Sequence, residues 1–72
     1  MSREALADYL RDIRIQHGWT QTDVARRLRS SQSRVAKMEA ADASISVDLL
    51  VRSLLTLGAS RTEVGRVIAR AA

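Results

Sequence analysis

The chain has 72 residues, of which 46% are hydrophobic and none is cysteine, so it allows one small domain and excludes disulfides and thiolate metal sites. The single histidine, His17, cannot build a metal site, and the scattered carboxylates provide no nucleophile–base pair, so we expect no metal, no cofactor and no enzymatic activity. The net charge of +4 favours a polyanionic partner, but charge alone does not separate nucleic acid from anionic lipid.

Membrane insertion is not expected from the hydropathy pattern. The longest apolar stretches span a few residues, whereas a membrane helix needs roughly 20. The N-terminal Met-Ser-Arg-Glu is followed by no signal-peptide core. The sequence therefore predicts a cytoplasmic protein with no membrane partner.

The first predicted helix runs from about Ser2 to His17. Ser2 is a plausible N-cap, and Gly18 ends the helix because glycine enters the left-handed conformation at little cost. Apolar side chains recur at steps of three and four residues, which predicts one buried stripe that contains Leu6, Tyr9 or Leu10, Ile13 and His17. With no proline and abundant Ala, Leu and Arg, the whole chain favours an all-α fold, a compact bundle of five short helices.

Two short helices joined by a tight turn are predicted over about residues 21–40. The first begins after Thr20, whose hydroxyl can cap it, and Asp23 favours the positive end of that helix. The second begins after Ser31, another plausible cap, and ends near Ala40. Their predicted inner faces consist of Val24, Ala25, Leu28, Val35 and Met38.

Five positive residues and no negative one lie between positions 24 and 37, namely Arg26, Arg27, Arg29, Arg34 and Lys37. Such a unit can place side chains against the edges of DNA bases, as a helix-turn-helix does.

The last two helices are predicted at about residues 47–57 and 61–71. The fourth is capped by Ser46 and closed by Gly58, and it carries too many apolar residues for one stripe, so either it is central or it covers more than one partner. The fifth begins with a capping box formed by Ser60 and Glu63. We treat residues 1–72 as one domain whose two C-terminal helices form a homodimer, through an interface of Leu54, Leu57, Val64, Val67 and Ile68.

At residues 6–58 the chain resembles the Xre/Cro/phage-repressor helix-turn-helix family, whose fold is lambda-repressor-like. The matching residues are Gly18-Trp19-Thr20-Gln21, Val24-Ala25, Leu28, Ser31-Gln32-Ser33, Val35 and the closing Glu39. The resemblance implies that the third helix enters the major groove of double-stranded DNA and contacts bases through Gln32, Ser33, Lys37 and Arg34. It implies phosphate contacts by Gln21, Arg29, Ser31 and Arg26, and a structural ion pair between Arg14 and Glu39.

Several positions depart from the family pattern. Arg29 stands where the turn usually has glycine, so the turn is either strained or differently shaped, and Ala41 stands where glycine often closes the third helix. Trp19 replaces an aliphatic residue, and we expect it to fill a space in the core.

The function implied by the resemblance is sequence-specific repression from a palindromic operator. Residues 31–39 together with 49–58 resemble small HigA-type antitoxins, which repress their own operon and bind a cognate toxin protein. Two alternatives within the family are a restriction-modification controller protein and a small phage repressor. A different class is a protein-interaction module without DNA binding, but the charges of Arg34 and Lys37 on the third helix argue against it.

Overall fold

A computed structural model describes residues 3–71, which form five helices and no strand. The helices are α1 (Arg3–Gln16), α2 (Gln21–Leu28), α3 (Gln32–Glu39), α4 (Val47–Thr56) and α5 (Arg61–Ala71). The all-α fold predicted from the sequence is confirmed. The N-cap predicted at Ser2 lies outside the described residues.

Side-chain caps determine where four of the helices begin. At α2 the Thr20 hydroxyl accepts a hydrogen bond from the Asp23 amide at 3.0 Å, while the Thr20 amide donates to the Asp23 carboxylate at 2.8 Å. Ser60 and Glu63 form the same reciprocal box before α5, at 3.0 and 3.1 Å. These caps satisfy amide donors that have no partner within the helix. The predicted caps of α3 and α4 are also present, at Ser31 and Ser46.

The core lies between α1 and α4, and the other helices pack around this pair. Helix α1 contacts α3, α4 and α5, while α4 contacts α1, α2 and α5. Leu50 and Leu54 have no exposed surface. The apolar excess of α4 is thus used inside the bundle, because this helix is central and covers three neighbours.

Leu54, Leu57 and Val64, which the sequence places at a dimer interface, lie instead in the core of the chain itself. The exposed fractions of these residues are 0%, 7% and 4%, so their side chains have almost no surface to offer a second copy. The sequence pattern could not separate the two uses, because core and interface positions have the same apolar spacing. Val67 and Ile68 are only partly buried against the core and keep some exposed surface.

The end of α1 also differs from the predicted stripe. His17 is exposed, and its Nδ1 atom lies 2.9 Å from the Ile13 carbonyl. Trp19 packs against the core as expected, but it is only half-buried: its ring stacks on His17 with centroids 4.1 Å apart, and the Arg27 guanidinium lies 3.9 Å from the ring centroid. His17 leaves the buried stripe because the helix ends at Gln16 and the chain turns there.

The turn between α2 and α3 is strained rather than differently shaped. Arg29 has φ 53° and ψ 48°, the left-handed conformation in which a non-glycine residue costs roughly 1 kcal/mol. The Arg29 amide donates to the Arg26 carbonyl at 3.2 Å, and the Ser30 amide to the Ala25 carbonyl at 2.8 Å, which is the Schellman pattern. Ala41, after α3, has φ 53° as well. Both non-glycine residues therefore adopt the geometry that glycine usually provides.

Candidate nucleic-acid interface

Helix α3 exposes a polar and basic face. Gln32, Ser33, Arg34 and Lys37 are exposed, and the first turn of the helix contains no acidic residue. The opposite face is buried through Val35, Met38 and Glu39. Because the apolar residues hold one side of α3 in the core, the predicted base-contacting residues are presented to solvent.

A buried ion pair fixes α3 against α1. The Arg14 Nε atom lies 2.6 Å from Glu39 Oε2, and Arg14 Nη2 donates to Glu39 Oε1 at 2.9 Å, so the contact is bidentate. Arg14 Nη1 also donates to the Trp19 carbonyl at 3.2 Å. Hydrogen bonding to Glu39 raises the pKa of Arg14, and only 4% of the Glu39 side chain is exposed. The pair that the family resemblance implied is present in the structure.

The pair continues into a row of amides that ends at the exposed face of α3. Gln21 Nε2 donates to Glu39 Oε1 at 3.3 Å, and Gln32 Nε2 donates to Gln21 Oε1 at 2.6 Å. The sequence assigned Gln21 to phosphate and Gln32 to a base as independent contacts. The structure joins them, so the orientation of the Gln32 amide depends on Gln21 and, through it, on Glu39. Sequence spacing carries no signal for this link, because the two glutamines are on different helices.

The residues predicted to contact phosphate lie around this face. Ser31 is held by hydrogen bonds, whereas Arg26 and Arg29 are exposed. Ser31 caps α3 by accepting from the Arg34 amide at 3.1 Å, and its hydroxyl lies 3.2 Å from that of Ser33. Arg26 is exposed and lies 3.6 Å from Asp23, while Arg29 is exposed in the turn. Such exposed pairs are weak, so the Arg26 guanidinium is available to an anion.

The loop between α3 and α4 forms one wall of a polar notch beside α3. The Arg3 Nε atom donates to the Ile45 carbonyl at 2.9 Å, which ties this loop to the start of α1. The notch has a volume of about 310 Å³ and is lined by Ser31, Ser33, Arg34, Lys37, Ser44 and Ile45. Sequence reasoning missed Ser44, which had no motif to mark it. The hydroxyl of Ser44 and its backbone amide both donate to the Asp42 carboxylate, at 2.7 and 2.9 Å, and lower the pKa of that group.

Comparison with known proteins identifies the family. A family model described as a helix-turn-helix domain matches residues 5–67, which is most of the chain. The chain therefore belongs to the helix-turn-helix domain family, a class of DNA-binding domains. No curated protein and no solved structure gave a significant match.

Within residues 3–71, no helix is long and apolar enough to cross a membrane. Within the same range, His, Asp and Glu side chains form no group that could hold a metal ion.

Proposed function

We propose that the chain is a sequence-specific transcriptional regulator of the Xre/Cro type, in which α3 reads base edges in the major groove. The observation that carries this proposal is the exposed polar edge of α3, held by the buried pair of Arg14 and Glu39. A rigid support matters because bidentate base contacts need a side chain at a defined position and angle. The match to the helix-turn-helix family supports the same function.

The exposed side chains suit distinct contacts. Gln32 can pair with adenine, and Lys37 can donate to the two acceptors of guanine, with Ser33 as a supporting contact. Arg34 has the reach for either a base or a phosphate. The remaining contacts in the proposal are to phosphates and involve Gln21, Arg29, Ser31 and Arg26.

Selection of bound duplexes from a random pool tests this assignment. Lys37→Ala removes a base contact and is expected to relax the preference at one base pair, at a cost of about 1–3 kcal/mol. Arg26→Gln removes a phosphate contact and should weaken all duplexes alike, with a smaller salt dependence. Arg66→Gln, at an exposed position of α5, is the matched control and should change neither property. An unchanged consensus for Lys37→Ala would contradict the assignment of Lys37.

We also propose that two copies act together on a palindromic operator. One small domain reads only a few base pairs, and two-fold related copies read half-sites about one helical turn apart. The partly buried Val67 and Ile68 on α5 are the residues of the predicted interface that keep surface for a second copy. Sedimentation at micromolar concentration with the selected duplex is expected to show two chains per operator. A single chain at every concentration, with or without DNA, would refute the homodimer.

The biological setting that we propose is an autorepressor acting as an antitoxin, a role that involves no catalysis. It is supported by the similarity of residues 31–39 and 49–58 to HigA-type antitoxins. Co-expression with the product of the neighbouring gene tests it: a stable complex with a small RNase-like toxin, together with repression of the shared promoter, is expected. A neighbouring methyltransferase and endonuclease would indicate a controller protein instead, and phage genes a phage repressor. Failure of the chain to bind any duplex would leave a protein-interaction module.

A further inference from the structure

A cleft lies beside the exposed face of α3, between the α2–α3 turn, the side of α3 and helix α4. It is open to solvent on one side and has a volume of about 260 Å³. Three arginines from three different elements line it, Arg29 from the turn, Arg34 from α3 and Arg52 from α4, and no carboxylate residue is among its lining residues. We refer to this cavity as the arginine cleft.

The guanidinium groups of the arginine cleft are available to a ligand. Within residues 3–71, neither Arg29 nor Arg34 forms an ion pair. Arg52 pairs with Asp48 through its Nε atom at 3.2 Å, but both side chains are more than two-thirds exposed, at 69% and 79%. Exposed pairs of this kind are weak and are easily exchanged for a stronger partner. The residues that line the cleft therefore carry three positive charges with little internal neutralisation.

The other walls of the cleft strengthen attraction for an anion. Leu28 and Leu49, which are partly buried, contribute apolar surface, next to which charges interact more strongly than in bulk water. The backbone at Arg29 is in the left-handed conformation, so a charged residue occupies a position where glycine would be less strained. Strain at a residue that lines a cavity is one sign of a functional site.

We propose that the arginine cleft is a binding site for a phosphate group. Planar guanidinium forks match the oxygens of phosphate, and several of them together favour an anion with more than one charge. The cavity volume is below the roughly 300–1,000 Å³ that is usual for drug-sized ligands, so it fits a phosphate or diphosphate group rather than a whole cofactor. The phosphate comes either from a small phosphorylated molecule or from the backbone of bound DNA, and the latter source rests on the function proposed above.

Thermal unfolding with inorganic pyrophosphate, against sodium chloride at matched ionic strength, tests the first source. The melting temperature of the wild-type chain should rise by roughly 5–10 °C at about ten times the dissociation constant. Arg52→Gln keeps most of the side-chain stem but removes the charge, and it should weaken pyrophosphate binding about tenfold. Arg66→Gln, on α5 and outside the cleft, should respond as the wild type does. This variant also controls for the general stabilisation that phosphate salts give to folded proteins.

Fluorescence anisotropy with duplex DNA tests the second source. If the phosphate belongs to DNA, Arg52→Gln weakens binding to every duplex and lowers the magnitude of the salt slope by about 0.9 for each bound chain, whereas Arg66→Gln changes neither. If it belongs to a free molecule, Arg52→Gln binds every duplex as Arg66→Gln does, although its binding of pyrophosphate is weakened.

The proposal is overturned if pyrophosphate stabilises the wild type and both variants equally, or not at all, and Arg52→Gln binds DNA as Arg66→Gln does. Failure of the proposed DNA-binding function would give a different result. A wild-type chain that binds pyrophosphate through Arg52 but binds no duplex keeps the site and removes the DNA-binding role.

Discussion

Replacing Arg14 by methionine should destabilise the fold far more than the same change at a neighbouring arginine. Met keeps much of the apolar stem but leaves the Glu39 carboxylate, whose side chain is only 4% exposed, without its bidentate partner. Breaking a buried pair in this way costs about 3–5 kcal/mol. We expect the lower end, about 3 kcal/mol, because Gln21 at 3.3 Å and Arg11 at 3.8 Å still offer partial compensation.

This loss is large for a chain of 72 residues, whose total stability is expected to be about 4–11 kcal/mol. Urea unfolding followed by circular dichroism measures it directly, and the melting temperature should fall by about 12–24 °C. Arg11→Met is the matched control, since Arg11 is on the same helix but half-exposed and 3.8 Å from Glu39, and it should cost less than about 1 kcal/mol.

The double variant Arg14→Met with Glu39→Met separates charge from packing. Because it removes both charges, we expect it to recover most of the lost stability, with a coupling energy of about 2 kcal/mol in the double-mutant cycle. The reasoning is refuted if Arg14→Met and Arg11→Met have equal stabilities, or if the double variant is as unstable as the sum of the single ones.

Three further predictions concern the turn, acid stability and salt. Arg29→Gly should stabilise the fold by about 0.5–1 kcal/mol in urea unfolding, since φ is 53°, whereas Arg26→Gly within α2 should destabilise it; a loss at position 29 would contradict the strain argument. A hydrogen bond from the Thr20 amide lowers the pKa of Asp23. The Asp23 carboxylate therefore stabilises the folded state at pH values above its ordinary pKa of 3.8, and this stability is lost as the pH falls through the lowered pKa. The melting temperature should therefore fall in acid, and the fall should be smaller in Asp23→Asn. If the melting temperature of the variant has the same pH dependence as that of the wild type, Asp23 does not contribute to the acid sensitivity. If a dimer neutralises about eight phosphates, the log–log salt slope of DNA binding should be roughly −7, and a slope near zero is incompatible with the proposed interface.

The positions of the helices could be predicted because their ends have local signals. Thr20, Ser31, Ser46 and Ser60 act as the caps that their residue types and spacing indicated. The inner faces of α2 and α3 followed from helical periodicity, since a side chain three or four residues away lies on the same face. The sequence was therefore sufficient for the framework that presents Gln32, Ser33 and Lys37.

Contacts between helices could not be predicted in the same way. Leu54 and Val64 have the spacing of an interface as well as of a core, and only the packing of α1 and α4 assigns them to the core. The bond between Gln21 and Gln32 and the stacking of Arg27 on Trp19 join side chains that no local pattern connects. The pair of Arg14 and Glu39 was accessible only through the family resemblance, because the two residues are 25 positions apart.

Chemical-shift mapping on titration with a selected duplex tests most directly whether the exposed edge of α3 enters the major groove. At about 0.1 M salt, where long-range charge effects are screened beyond roughly 10 Å, the largest changes should occur at Gln32, Ser33 and Lys37 and at the side-chain amide of Gln21. Changes confined to the exposed faces of α1 and α5, or no changes with any duplex, would contradict the account.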